Sequence, residues 1–163
     1  MGGGIVAALS LPRRMAMAQD AVDIAMSGRP NGSRVWFDPI GILVEPGQAV
    51  RWNTHDAGNS HTATAYHPTY DERPLRIPDG AQPWDSGYLL PDDSFAVTLT
   101  VPGVYDYYCI PHEMAGMVGR IIVGEPPQGW TETTRSGEGL PDAALQEFPS
   151  VDEIMMKGVV RRG

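Results

Sequence analysis

Short strand and turn signals alternate from residue 20 to residue 124, and this pattern restricts the chain to a β fold. Apolar side chains at every second position of residues 95–101 have the period of a half-buried strand. Further strand signals lie at residues 42–44, 50–52 and 61–67. Turn signals recur between them at Pro46-Gly47, Asp79-Gly80, Pro91-Asp92 and Pro102-Gly103. The pattern predicts an antiparallel sandwich or barrel.

One strand signal ends on the only cysteine of the chain. Its outward positions are Asp106 and Tyr108, which alternate with Tyr105, Tyr107 and Cys109. We therefore expect Asp106 and Tyr108 to lie at the surface, and Cys109 to point inward with the other two tyrosines. A single cysteine cannot form an intramolecular disulfide. Cys109 is therefore a free thiol, a buried apolar residue, a nucleophile or a metal ligand.

The length, composition and net charge of the chain limit the kinds of protein it can be. The chain has 163 residues, which suits one domain with tails. Hydrophobic residues make up 42% of the sequence, enough to fill a core. The formal net charge is −8, and the phosphates of a nucleic acid would repel such a chain. Composition therefore favours a folded domain that does not bind nucleic acid.

The N-terminus differs from the rest of the chain. Residues 1–18 hold a short apolar run, two arginines and the sequence Ala16-Met17-Ala18, whose small-x-small form is typical of signal-peptidase sites. We interpret residues 1–18 as a truncated signal-peptide-like segment. This predicts export to the periplasm or another extracytoplasmic compartment. The alternative is an apolar N-terminus without such a role.

The C-terminus also changes character, and residues 125–163 are predicted to be a linker and C-terminal extension after a domain of residues 19–124. Ser150 begins an S-x-x-E capping box, and Gly158 stands where a helix would end. The pattern predicts a short helix in the extension. We expect the extension to cover Ile122, which lies on the outer face of its strand.

A cysteine, a histidine and a methionine form a C-x-x-H-x-x-x-x-M array of Cys109, His112 and Met117. Thiolate, imidazole and thioether are soft ligands, which suit copper better than Mg²⁺ or Ca²⁺. Two intervening residues let one tight loop place Cys109 and His112 on the same ion, and Gly116 lets the loop return to Met117. A trigonal site of two histidines and one cysteine needs its second histidine from elsewhere.

Three further histidines are candidates for that position: His55, His61 and His67. Neighbours among them are six residues apart, which is roughly 20 Å on an extended chain, so we expect only one to share an ion with Cys109. His61 is favoured because a loop ends and a strand signal begins there. His55 and His67 are expected to be solvated or hydrogen-bonded instead.

Motifs beyond this array make the chain resemble the cupredoxins, and within them the plastocyanin and pseudoazurin group. The resemblance covers about residues 20–124. Its motifs are VEPG (Val44 to Gly47), VRW (Val50 to Trp52), His61, WDSG (Trp84 to Gly87), PGVYDYYCIPH (Pro102 to His112) and GMVG (Gly116 to Gly119). It implies an all-β Greek-key β-sandwich, the cupredoxin fold, with a C-terminal extension containing a short helix. It also implies one copper ion, Cu(I) or Cu(II), in a type 1 site with three strong ligands and a weak axial methionine: His61, Cys109, His112 and Met117.

The resemblance implies an electron carrier rather than an enzyme, because these four ligands leave no open position on the metal. We expect a monomer that docks briefly to redox protein partners such as a cytochrome or an oxidase, with no nucleic acid and no small-molecule substrate. The ring of His112 is the expected exit for electrons, and Tyr108 is a candidate second route. The electron-transfer surface is predicted at Tyr108, Pro111, His112, Met114 and Ala115.

Three features depart from the family pattern: Thr62, the loop of residues 68–83 and the C-terminal extension. Thr62 stands where an asparagine commonly ties the two ligand loops together, and its hydroxyl is expected to do part of this task. Residues 68–83 contain four prolines and are predicted to form a long ordered surface loop. This loop and the extension have no counterpart in the minimal family domain.

Three other functions are compatible with parts of the pattern. An oxidase or nitrite reductase needs further copper centres built mostly from histidine, and only His55 and His67 are left for them. Copper delivery or storage is suggested by eight methionines, although three of them lie in residues 1–18. A docked copper subunit of a larger electron-transfer complex, anchored by the extension, would keep the same chemistry.

Overall fold

Two β-sheets make up the fold in a computed structural model of the chain, which describes residues 20–29, 33–131 and 137–162. The first sheet has four strands in the order β2-β1-β4-β6. These strands are β1 (Val22–Gly28), β2 (Val35–Asp38), β4 (Gln48–Thr54) and β6 (Ser94–Leu99). Strand β1 runs parallel to β4 and antiparallel to β2, so the sheet is not a chain of simple hairpins.

The second sheet has five strands in the order β5-β7-β8-β3-β9. Its strands are β3 (Gly41–Val44), β5 (Thr64–Ala65), β7 (Gly103–Tyr108), β8 (Val118–Val123) and β9 (Val159–Val160). A 3₁₀ helix, Ile110–Ala115, lies between β7 and β8. Two α-helices follow the sheets, α1 (Asp142–Glu147) and α2 (Val151–Lys157).

The main core lies between the two sheets. It joins buried side chains of the first sheet, such as Ile24 and Trp52, to those of the second, such as Tyr105 and Tyr107. Cys109 belongs to the same core, as its position in the alternating strand predicts. The chain is therefore an all-β sandwich with short C-terminal helices, and the predicted fold class is confirmed.

The C-terminal extension covers the outer face of the second sheet. Val151 and Ile154 of α2 pack with Ile122 and Val160 in a second cluster of buried residues. The hydroxyl of Ser150 accepts a hydrogen bond from the amide of Glu153 at 3.1 Å, so Ser150 caps the start of α2. The carboxylate of Glu153 contacts Lys157 and Arg162, so only this half of the predicted capping box is seen. Gly158 ends this helix at a φ of 71°. The predicted helix and its cover over Ile122 are both confirmed.

The sequence did not indicate helix α1 or strand β9. Pro141 precedes α1 and provides no side-chain cap, so the usual N-terminal signal is missing. Strand β9 has two residues and forms only by pairing with Gly41 and Ile42 of β3. Both elements are too short to be stable alone and depend on the sheet beneath them.

Asp106 does not face water, and this expectation was wrong. Its side chain is fully buried, and its carboxylate accepts hydrogen bonds from Arg120 Nε at 2.7 Å and Arg76 Nη2 at 2.8 Å. Arg120 also donates to the carbonyl of Pro149 at 2.8 Å, and its guanidinium lies 5.1 Å from the ring centroid of Phe148. Asp106 is buried because the extension covers the face toward which it points.

Tyr108 does not lie at the surface either, for the same reason. Its side chain points away from the main core, yet none of it is exposed. The ring stacks on Tyr66 with centroids 4.4 Å apart, and the guanidinium of Arg73 lies 5.4 Å from its centroid. Ala144 of α1 and Phe148 belong to the same cluster. The outer face of β7 is therefore an interior surface.

Residues 68–83 lie between β5 and β6 and form no strand or helix, in agreement with the predicted loop. Two of its residues, Arg76 and Ile77, are nevertheless buried. Arg76 donates its amide to the carbonyl of Tyr66, and its carbonyl accepts from the amide of Asp106, both at 2.9 Å. The loop is therefore fixed to the edge of the second sheet.

The signal-peptide-like segment of residues 1–18 lies outside the described residues. Among the residues that are described, no helix combines the length and the apolar character that crossing a membrane requires.

The buried carboxylate of Asp106 generates a stability prediction. Asp106→Asn keeps the shape of the side chain but leaves Arg76 and Arg120 without their shared counter-charge, so we expect a loss of about 3–5 kcal/mol. Chemical denaturation of the metal-free protein measures this loss. The matched control is Asp23→Asn, which breaks the exposed pair with Arg51 and should change stability far less. If both variants lowered the free energy of unfolding by the same small amount, the buried charge of Asp106 would not be needed for stability.

Candidate metal centre

Two side chains of one loop and one from a distant segment meet at one end of the sandwich. Cys109 follows β7, His112 lies in the 3₁₀ helix, and His61 lies in the connection between β4 and β5. The sulfur of Cys109 is 3.7 Å from Nδ1 of His61 and 3.4 Å from Nδ1 of His112. The ligand atoms of all three lie within 4.8 Å of one another. Among the described residues this is the one group of three such side chains gathered closely enough for a metal.

The loop from Cys109 to Met117 is held by its own backbone. The amide of Cys109 donates to the carbonyl of Met117 at 3.0 Å, which continues the β7–β8 ladder beyond the strands. The amide of His112 donates to the carbonyl of Cys109 at 3.0 Å, and the amide of Met117 donates to the carbonyl of His112 at 3.1 Å. Backbone hydrogen bonds therefore connect Cys109, His112 and Met117 to one another and hold the loop in one conformation.

Gly116 makes the return of this loop possible. Its φ is +81°, a conformation that glycine adopts without the strain of a side chain. A Cβ at this position would also lie 3.1 Å from the carbonyl oxygen of Ala143 in α1. Helix α1 therefore packs directly against the ligand loop.

The two methionines of the loop have different environments. Met117 is fully buried and belongs to the main core together with Cys109. Met114 is 78% exposed. The structure therefore places the Met117 thioether inside the protein beside the ligand loop and the Met114 thioether in solvent.

His61 is fixed from both sides. Its amide donates to the carbonyl of Leu89 at 3.1 Å, and the amide of Leu89 donates back at 2.8 Å. Its ring is fully buried, with Nδ1 toward Cys109 and Nε2 3.2 Å from Oδ2 of Asp56. Of the predicted strand at residues 61–67, only Thr64–Ala65 forms a strand in the structure. His61 pairs with Leu89 as an isolated bridge outside it.

Thr62 connects the two ligand segments, as its place in the sequence predicts. Its amide donates to the sulfur of Cys109 at 3.3 Å. Its hydroxyl accepts from the amide of Ile110 at 2.8 Å and from the hydroxyl of Thr64 at 2.9 Å. A threonine hydroxyl thus makes the link between the loops that an asparagine commonly makes.

Burial sets the protonation of the ligands before any metal binds. It raises the pKa of the Cys109 thiol to about 11, although hydrogen bonds from Thr62 and His112 oppose this shift. Burial lowers the pKa of His61, although Asp56 opposes that shift. Burial also lowers the pKa of His112, and the nearby His61 lowers it further. Near neutral pH the site therefore holds one thiol and two neutral imidazoles.

Sequence reasoning missed Asp56, which lies in the loop before His61 and contacts its ring. Burial by itself would raise the pKa of Asp56, but hydrogen bonds from Asn59, Gly58 and His61 outweigh it and lower the pKa. One weak signal was present in the sequence, an aspartate two residues before a glycine, which is typical of a turn. That signal does not indicate contact with a ligand.

The remaining residues that the sequence singled out differ in their exposure to solvent and in their distance from the ligand atoms. Pro111 and Ala115 are exposed, as Met114 is, and His112 is partly exposed. His55 is exposed and His67 partly exposed, and neither joins the group of ligand atoms. His67 instead contacts the hydroxyl of Thr69 at 2.9 Å.

The distances between the donor atoms can be compared with those that a single bound metal ion allows. Ligands of one ion lie about 2.0–2.3 Å from it, so two of them are at most about 4.4 Å apart. Both sulfur-to-nitrogen distances, 3.4 and 3.7 Å, meet this limit. One thiolate with two imidazoles is the trigonal donor set of type 1 copper.

The chain is similar to known copper-binding proteins. Residues 24–124 match the family model of copper binding proteins, plastocyanin/azurin family. The chain is 35% identical to the chloroplastic plastocyanin of Oryza sativa subsp. indica, over 72% of this chain and 71% of the relative. It is 37% identical to that of Hordeum vulgare, over 66% of this chain and 64% of the relative, so it spans less than two thirds of that protein.

A solved structure supports the fold. The pseudoazurin of Methylobacterium extorquens AM1 superimposes with a TM-score of 0.57 at 23% identity, over 78% of this chain and 94% of that chain. Because the family model covers most of the chain, including all three clustered ligand residues, the protein belongs to the plastocyanin/azurin family of copper-binding proteins, and its cofactor is copper.

Proposed function

We propose that the protein is a one-electron carrier whose copper is held by His61, Cys109, His112 and Met117. Bound copper supplies a one-electron couple between Cu(II) and Cu(I). The observation that carries the proposal is the buried thiol between two inward-facing imidazole nitrogens, in a loop that its own backbone fixes. Fully buried Met117 is proposed as the weak axial ligand. The proposal assigns no substrate and no catalytic residue.

The protein's contribution is to keep these ligands in place. Cys109, His112 and Met117 are joined by backbone hydrogen bonds, and His61 is joined to Leu89. Thr62 ties the two segments together, and α1 packs on the loop from outside. Ligands that cannot move between oxidation states keep the reorganisation energy low, which favours fast electron transfer.

We propose that electrons leave and enter at His112. Its ring is partly exposed, and Pro111, Met114 and Ala115 beside it are exposed. This small apolar patch suits brief docking of a redox protein, such as a cytochrome or an oxidase, because redox encounters bury little surface. The second route, through Tyr108, ends on buried Tyr66 and not in solvent. Its burial favours His112 as the main exit.

We also propose that the protein works in the periplasm or another extracytoplasmic compartment. The support is the small-x-small sequence at residues 16–18. Cell fractionation of a producing bacterium, with sequencing of the mature N-terminus, tests this. Protein found in the cytoplasm with residues 1–18 retained would contradict it.

Copper binding itself is the first prediction. Adding Cu(II) to the purified protein should give an intense visible thiolate-to-copper band and a reversible one-electron couple. Cys109→Ser should abolish the band because the thiolate is lost. Met114→Leu is the matched control in the same loop and should leave the band unchanged. A colourless or rapidly exchanging complex would instead favour copper delivery.

The raised pKa of Cys109 predicts proton release. Zn(II) serves as a probe without redox chemistry, and its binding near pH 7 should release about one proton per ion, because the ligand must be a thiolate. Between about pH 7 and pH 10 the apparent affinity should rise about tenfold per pH unit, since the thiol stays protonated up to its pKa. Below the lowered pKa values of His61 and His112 the dependence should steepen. Chelator competition measures the affinity, and Cys109→Ser should remove the slope above pH 7.

The docking patch is tested by electron self-exchange between Cu(I) and Cu(II) copies, measured by NMR line broadening. Met114→Glu adds a charge where the two copies meet, so the rate should fall about tenfold or more at low salt. Met156→Glu is the control, because Met156 is 81% exposed but lies on α2. Equal rates for the two variants would place the electron exit elsewhere.

A further inference from the structure

A buried carboxylate contacts the ring of His61 on the side opposite Cys109. This carboxylate belongs to Asp56, whose side chain is only 4% exposed. Oδ2 lies 3.2 Å from Nε2 of His61 and accepts from Nδ2 of Asn59 at 2.6 Å. Oδ1 accepts from the amide of Gly58 at 2.9 Å. Among the described residues, the polar contacts of this carboxylate are with two nitrogen donors and with the imidazole of His61.

The first sheet leaves room for this carboxylate. Gly28 ends strand β1, and a Cβ at this position would lie 1.9 Å from Oδ2 of Asp56. Since such a distance is sterically impossible, a side chain at position 28 would displace the carboxylate. Gly28 therefore leaves the space on strand β1 that the carboxylate of Asp56 occupies, although Asp56 itself lies in the loop between β4 and β5.

The contact determines which ring nitrogen carries the proton. A carboxylate that already accepts two N–H groups can only accept from a third partner, so Nε2 of His61 is the donor. A neutral imidazole has one N–H, which leaves Nδ1 with its lone pair. Nδ1 is the atom that faces the sulfur of Cys109 at 3.7 Å.

We propose that Asp56 is a positioning residue of the copper site, which holds His61 in the metal-binding tautomer and favours Cu(II) over Cu(I) through its negative charge. The inference rests on the proposed ligation by His61. Metal-ligating histidines commonly donate their second N–H to such a partner, which makes the imidazole a stronger donor. A buried negative charge is poorly screened, and it stabilises the more positive oxidation state.

The variant Asp56→Asn removes the charge and keeps the shape. Losing such a partner commonly costs about 10–100-fold in metal affinity. Because the lost negative charge weakens the binding of Cu(II) more than that of Cu(I), the ratio of Cu(II) affinity to Cu(I) affinity should fall about tenfold. For a one-electron couple, a tenfold change raises the reduction potential by about 59 mV. Asp23→Asn is the matched control, because it removes one negative charge from strand β1, where Asp23 pairs with Arg51 and not with a ligand residue.

Voltammetry of the copper-loaded variants gives the decisive comparison. A potential that rises in Asp56→Asn and stays unchanged in Asp23→Asn supports the role. Equal potentials in both variants overturn it, even if Asp56→Asn also lowers stability, because a purely structural residue would change stability alone.

A second measurement uses the metal-free wild-type protein, so it does not depend on folding of the variant. Nitrogen-15 NMR of the His61 ring should show Nε2–H and an unprotonated Nδ1. The opposite tautomer would overturn the inference. If the tautomer is as expected and the wild-type protein forms no coloured copper site, the proposed carrier function fails and with it the role of Asp56 at copper, while the assigned tautomer of His61 stands.

Discussion

The hydrogen bond from the amide of Cys109 to the carbonyl of Met117 closes the ligand loop on the β7–β8 ladder, and the rest of the site depends on this closure. It fixes the two ends of a loop that would otherwise have many conformations. His112 is then placed by one turn of 3₁₀ helix, and Gly116 returns the chain at a positive φ. The sandwich thus carries a soft-metal site at the end of two paired strands.

A second constraint acts from the outside of the second sheet. The extension and the loop of residues 68–83 bury the outer face of β7, where Asp106 pairs with two arginines and Tyr108 stacks on Tyr66. Helix α1 reaches from this cover to Gly116 of the ligand loop. The extension and the loop of residues 68–83 therefore brace the metal loop and enclose one side of it, and the edge with His112 stays partly exposed.

Much of this could be predicted from the sequence, and the two errors on β7 have one cause. The period of two correctly separated the inward positions of β7 from the outward ones, but it could not show that the outward ones are covered. Asp106 and Tyr108 were therefore assigned to water. Strand β9 was missed because two residues give no periodicity, and its pairing with β3 is a tertiary contact.

The sequence alone determined the ligand types, the loop that carries Cys109 and His112, and the class of metal, because these depend on side-chain chemistry and on short spacing. Only the tertiary structure decided which residues come into contact when they are far apart in the sequence. His61 lies 48 positions before Cys109, and the fold brings it there while His55 and His67 stay outside the group of ligand atoms. The contact between Asp56 and His61 was likewise decided by the fold. It requires a glycine on β1, and no local pattern encodes a contact between a strand end and a distant loop.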